Sequence, residues 1–142
     1  MSRSLACLVA LLVASVVFAH QGVTNPAVMA RMDGMSAIAA ETKLLGEMAK
    51  GARAFDVEAA QAAARAIAAH GAEIPALFEA PETDPKSEAL PAIWEDFASF
   101  EAAASALVTA AQAADLTTPE GLAPAVAAIG ATCGACHKRF RE

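Results

Sequence analysis

Cys133-Gly134-Ala135-Cys136-His137 stands near the C-terminal end of this 142-residue chain, after a long alanine-rich run. Two cysteines three positions apart, with histidine next in line, form the c-type haem attachment signature: both thiols add to the haem vinyl groups and the imidazole binds iron. On a helix, positions 133, 136 and 137 share one side, because three or four residues make about one turn. One short helical stretch can therefore grip a porphyrin edge at two points and present a proximal ligand to its metal. Rival readings of the five residues are weaker. A dithiol redox motif wants its first cysteine at a helix N-terminus, where the dipole lowers the thiol pKa, and this pair lies near the end of a helical run. Zinc needs about four ligands in a closed tetrahedron, and the chain offers no second ligand pair. A disulfide across three helical residues would be strained and would remove little loop entropy.

Residues 1–19 read as a secretory signal, with Arg3 as the positive start, an apolar run from Leu5 to Phe18, and Val17-Phe18-Ala19 as a small-residue cleavage pattern. The run is shorter than the roughly twenty residues a bilayer span needs, and no second one follows, so a mature domain of residues 20–142 without a membrane span is expected. Cys7 leaves with the signal, and Cys133 and Cys136 remain as its thiols. Haem attachment to such a pair takes place outside the cytoplasm, so signal and motif agree on a periplasmic location. Removing Arg3 leaves nine basic residues against sixteen acidic ones, a formal charge of −7. That balance argues against nucleic acid and anionic membrane as partners.

The composition is rich in alanine, free of tyrosine and poor in β-branched runs, which favours closely packed helices. Four helical segments stand out. The first is capped at Thr24 or Asn25, has Pro26 in its first turn and ends at Gly51. The second is capped by Asp56, is interrupted near Gly71 and again by Pro75, and leaves a short extra turn to Phe78. Residues 79–89 are polar with two prolines and form the longest loop. The third segment runs from about Pro91 to Ala114. The fourth opens with Thr118 as cap, then Pro119 and Glu120, and continues through the haem motif to about Arg141. Each carries an apolar seam at alternating spacings of four and three, Val28, Met35, Ile38 and Leu45 in the first and Leu122, Val126, Ile129, Cys133, Cys136 and Phe140 in the last. Such seams belong to helices that meet at shallow crossing angles. An all-α, antiparallel up-down-up-down four-helix bundle with haem between the helices at one end is expected.

Two residues of the first segment face that haem site. Arg31 lies on the inner stripe, where an unpaired guanidinium is costly; a haem propionate would neutralise it, and pairing with a surface acid near the helix start is the alternative. Met35 is one turn further on the same face. Its thioether suits low-spin haem iron opposite His137, but methionine on a seam also serves as flexible core filler. Trp94, Phe97 and Phe100 read as core aromatics, and His70 as a histidine suited to the end of its helix. Gly130 reads as a site of close helix or haem approach. Lys138, Arg139 and Arg141 suit the C-terminal dipole and could form a basic docking patch at the haem edge.

Over about 115 residues the chain resembles the class II c-type cytochromes, the cytochrome c′ group. The likeness runs through Arg31-Met-Asp-Gly-Met35, Lys50-Gly51, Phe55-Asp56, Pro75-Ala-Leu-Phe78 and Pro91-Ala-Ile-Trp94-Glu-Asp-Phe97, and ends in Ile129-Gly130-Ala-Thr-Cys133-Gly-Ala-Cys136-His137-Lys-Arg-Phe140-Arg141. The resemblance implies a four-helix bundle with one haem c attached through Cys133 and Cys136. It also implies His137 as proximal ligand, Arg141 as the basic residue beside it and Arg31 near a propionate. Met35 falls at the distal position, which is methionine in the low-spin branch and leucine, phenylalanine or tyrosine in five-coordinate members. The expectation is therefore an exported monohaem one-electron carrier that exchanges electrons with redox partner proteins and makes no bonds in a substrate. The alternative is a five-coordinate cytochrome c′ that binds small gases such as nitric oxide. Members of the group often pair through their first two helices, and the alanine-rich second segment is compatible with a homodimer.

Overall fold

The computed structural model describes residues 22–142; the expected signal at 1–19 lies outside them. Helix α1, Pro26–Ala49, starts where the Asn25 side chain accepts hydrogen bonds from the amides of Ala27 and Val28. It stops before Gly51, whose φ of 70° lies in the left-handed region that a residue with a Cβ enters at a cost. Helix α2, Val57–Leu77, is capped by the Asp56 carboxylate on the Ala59 amide. The expected interruptions do not occur, and α2 runs unbroken through Gly71 and Pro75. Pro75 falls in the last turn, so the one bond it cannot donate, to the Gly71 carbonyl, is lost only where the helix is about to end. Gly71 is a packing position, since a Cβ there would lie 3.1 Å from Val108 Cγ2.

The expected third helix is two. A single turn, α3 (Ala92–Glu95), is separated from α4 (Phe97–Gln112) by Asp96, whose backbone turns to φ −141°, ψ 65° while its side chain caps the Ser99 amide. Aspartate competes with the helix for its own backbone in this way. The last helix, α5 (Leu122–Phe140), begins three residues later than expected, after a 3₁₀ turn at Pro119–Gly121, and Thr118 makes no side-chain cap. Gly121 forces that start: a Cβ there would lie 1.8 Å from the Asp115 carbonyl oxygen, so only glycine lets the turn press against the end of the preceding connection.

Helix α1 packs on α2 and α5, and α4 packs on the same two, giving an antiparallel four-helix bundle with the square order α1, α2, α4, α5. Leu45, Ile67, Ile93, Leu122 and Ile129 are buried in its core, together with Phe78, Phe100 and Phe140. Phe100 is the hub of the aromatic cluster, 5.0 Å from Phe78 and 5.3 Å from Phe140 between ring centroids. No helix among the described residues is long and apolar enough to cross a membrane.

Candidate functional site

A cavity of about 600 Å³ opens between α1, α4, α5 and the 87–89 segment. It collects Arg31 and Met35 from α1 with Cys133, Cys136, His137 and Arg141 from the end of the chain, so all six expected site residues share one chamber. Val28, Ile38, Ile74, Ile93, Phe100 and Leu107 make most of the wall apolar. The size is that of an ordinary small-molecule site.

The two thiols are unpaired and half-buried on the inner side of α5. Burial pushes both above the usual cysteine pKa, and for Cys136 the neighbouring Cys133 adds to it. Both remain protonated at neutral pH. A dithiol oxidoreductase needs the opposite shift, and the pair lies in the second half of α5, far from the helix N-terminus. His137 stands next to them with its surface open to the cavity. Desolvation, then the Arg141 guanidinium, lower its pKa, with Glu88 opposing. The imidazole is thereby kept neutral, the form that binds a metal.

Arg31 is 3 % exposed, which excludes its expected alternative of reaching solvent to meet a surface acid. Its Nε–H donates to the Leu77 carbonyl at 2.9 Å and Nη1 to the Glu82 carbonyl at 2.7 Å, while Nη2 donates to the Ala80 carbonyl. The guanidinium also lies over the Phe78 and Trp94 rings, 4.8 and 5.3 Å from their centroids. It neutralises carbonyl dipoles at the end of α2 and in the following loop, and gives those acceptors at most three of its five N–H groups. Trp94 serves the same corner by donating Nε1–H to the Phe78 carbonyl at 2.7 Å.

Two residues at this end of the bundle carried no functional signal in the sequence. Asp84, 6 % exposed, accepts the amides of Thr24, Asn25 and Lys86 and the Thr24 hydroxyl, which ties the 79–91 loop to the start of α1. Glu88 pairs with Arg141. Both acids sit in a proline-bearing polar stretch whose spacing shows no face. The expected basic patch is also corrected: Arg139 pairs with Asp96 and Arg141 with Glu88, so neither cation stands alone beside Lys138. Gly130 is not a site of close helix approach, because it is exposed and a Cβ there would meet no protein atom within 4 Å. His70 is removed from the cavity, 3.3 Å from Glu73 on the surface of α2.

A haem fits this donor set. Two adjacent thiols on one helix side, a neutral imidazole next to them and an apolar chamber are what covalent attachment and proximal ligation require, and Met35 lines the same chamber from α1. The sequence pattern of the family described as Cytochrome C' matches residues 26–141. Cytochrome c-556 of Agrobacterium fabrum is 37% identical over 110 residues, which cover 75% of this chain and 75% of that protein. The structure of cytochrome c' from Rhodopseudomonas palustris superposes with a TM-score of 0.76 at 32% identity, over 84% of this chain and 98% of that one. An NMR-validated structure of oxidized R. palustris cytochrome c556 superposes with a TM-score of 0.75 at 27% identity, over 82% and 96%. Sequence match, bundle and thiol-bearing last helix agree: the chain belongs to the cytochrome c′ family, the class II c-type cytochromes, whose haem c is covalently attached.

Proposed function

We propose that the chain is an exported one-electron carrier, matured by loss of residues 1–19 to a 20–142 domain that works in the periplasm with redox partner proteins. Cys133 and Cys136 would hold the haem, and His137 and Met35 would both bind its iron. The observation that carries this reading is that α1 brings Met35 to the same cavity in which α5 presents both thiols and His137. Haem bound there supplies an iron that takes up or gives away one electron, at a potential raised by methionine–histidine ligation.

The chain's own residues do the rest. The cysteines fix the porphyrin to α5, so the imidazole one position on is held in register with it. The largely apolar wall would lower the local dielectric, which disfavours the more highly charged state of a bound iron. Arg31 lines the cavity and gives three of its N–H groups to carbonyls, and the remaining ones would meet a propionate. Arg141 sits close enough to His137 to act on its charge state.

One observation favours the five-coordinate, gas-binding alternative: the small side chains of Ala39, Ala103 and Ala104 line the same cavity. The absorption spectrum of the reduced protein with and without carbon monoxide separates the two. Methionine ligation predicts a low-spin spectrum that carbon monoxide alters slowly or not at all. A high-spin spectrum that converts at once would establish the alternative.

A further inference from the structure

We propose that Glu88 is a positioning residue of the haem site, holding the Arg141 guanidinium in one place beside His137. The inference rests on the haem-bound reading above and extends it to a residue in the loop between α2 and α3.

Nε of Arg141 donates to Oε2 of Glu88, and Nη2 forms an ion pair with the same oxygen. The main chains are joined as well. The Glu142 amide donates to the Glu88 carbonyl at 3.0 Å and the Leu90 amide to the Phe140 carbonyl at 3.0 Å, an antiparallel pairing of Ala89 with Arg141. The loop arrives at this pairing already fixed upstream, by Asp84 on the amides of Thr24 and Asn25 and by Arg31 on the carbonyls of Ala80 and Glu82. Little side-chain freedom is therefore lost when Glu88 meets Arg141. Glu88, Arg141 and His137 all line the cavity.

Stability does not account for the pair. Its side chains are 54% and 51% exposed, and exposed ion pairs contribute about 0–1 kcal/mol. What the pair does control is where a positive charge stands relative to the proximal ligand. With Glu88 in place the guanidinium is held near His137 and locally offset. Without Glu88 it is free to swing into solvent, where its effect on the iron is screened.

The test is a double-mutant comparison of reduction potentials in the haem-loaded protein. Arg141→Gln in the native background leaves the Glu88 carboxylate unopposed beside His137 and favours the ferric form, so the potential falls. In the Glu88→Gln background the same change removes a cation that is no longer held, and the fall is expected to be less than half as large. Glu88→Asp, one methylene shorter, should give an intermediate value. As a readout independent of redox behaviour, the Arg141 Nε–H proton, followed by NMR in the reduced protein, should exchange several-fold faster in Glu88→Gln. An equal fall in both backgrounds, or unchanged exchange, overturns the proposal. Mass spectrometry of each variant comes first. Loss of covalent haem in the native chain would overturn the proposed function itself, whereas haem-loaded proteins with additive potentials overturn only the positioning role.

Discussion

Arg31 illustrates how a buried cation is held without a buried anion. Its charge is met by three carbonyl oxygens at a helix end and by two aromatic faces, each a partial charge already fixed by the fold. Lysine cannot replace that planar fork. Arg31→Lys is expected to lose about 2 kcal/mol of stability and Arg31→Leu, which strands the carbonyls, about 3–4 kcal/mol. Urea unfolding with an unchanged slope and a lowered midpoint checks both. Equal midpoints for Arg31→Lys and the native chain would show that one hydrogen bond suffices. Burial of Arg31 was readable from its place on the inner stripe of α1. Its partners were not, because they are backbone oxygens some fifty residues away, and no side-chain pattern marks a carbonyl.

Among the elements, α2 meets α4 closely at Gly71. A leucine there would drive into Val108 and Leu107, the latter 3.5 Å from the Cβ position. Gly71→Leu is expected to cost about 2 kcal/mol despite leucine's better helix propensity, seen as a lower Tm by calorimetry; a raised Tm would mean that the crossing relaxes freely. The caps at Asn25 and Asp56 and the stop at Gly51 were legible because each is a local bond between neighbours in sequence. Where tertiary contacts decided, the local signals misled. Gly71 and Pro75 look like breakers in isolation, yet one is a packing site and the other lies where a helix was about to end. Asp96 breaks the third segment, although nothing in the apolar spacing of Ile93, Phe97 and Phe100 announces it.

At the scale of the molecule, the haem end of the bundle is closed by the 79–91 loop, which Arg31 ties to α1 at the Ala80 and Glu82 carbonyls and the Asp84 carboxylate ties to the residues that start α1. Four hydrogen bonds to its ionised form hold the Asp84 pKa below the ordinary 3.8. A depressed folded pKa means that the stabilisation is fully present above the unfolded value and is lost as pH falls through the folded one. Asp84→Asn should therefore be less stable than the native chain at neutral pH, with the gap closing below 3.8; a gap independent of pH in thermal melts would assign the loss to shape rather than charge. The four-helix bundle itself was legible from the seams and the short connections. So was the gathering of Arg31, Met35, Cys133, Cys136 and His137 at one end, because the helix periodicity puts them on shared faces, whereas Arg141, extended past the end of α5, was placed there by the family resemblance alone. Glu88 was not, since a loop has no period to place it. The central claim, that Met35 and His137 bind one iron from opposite sides, is tested most directly by electron paramagnetic resonance of the ferric protein and its Met35→Ala variant. Ligation by Met35 predicts a low-spin signal in the native chain and a high-spin one in the variant; the same spin state in both would contradict it.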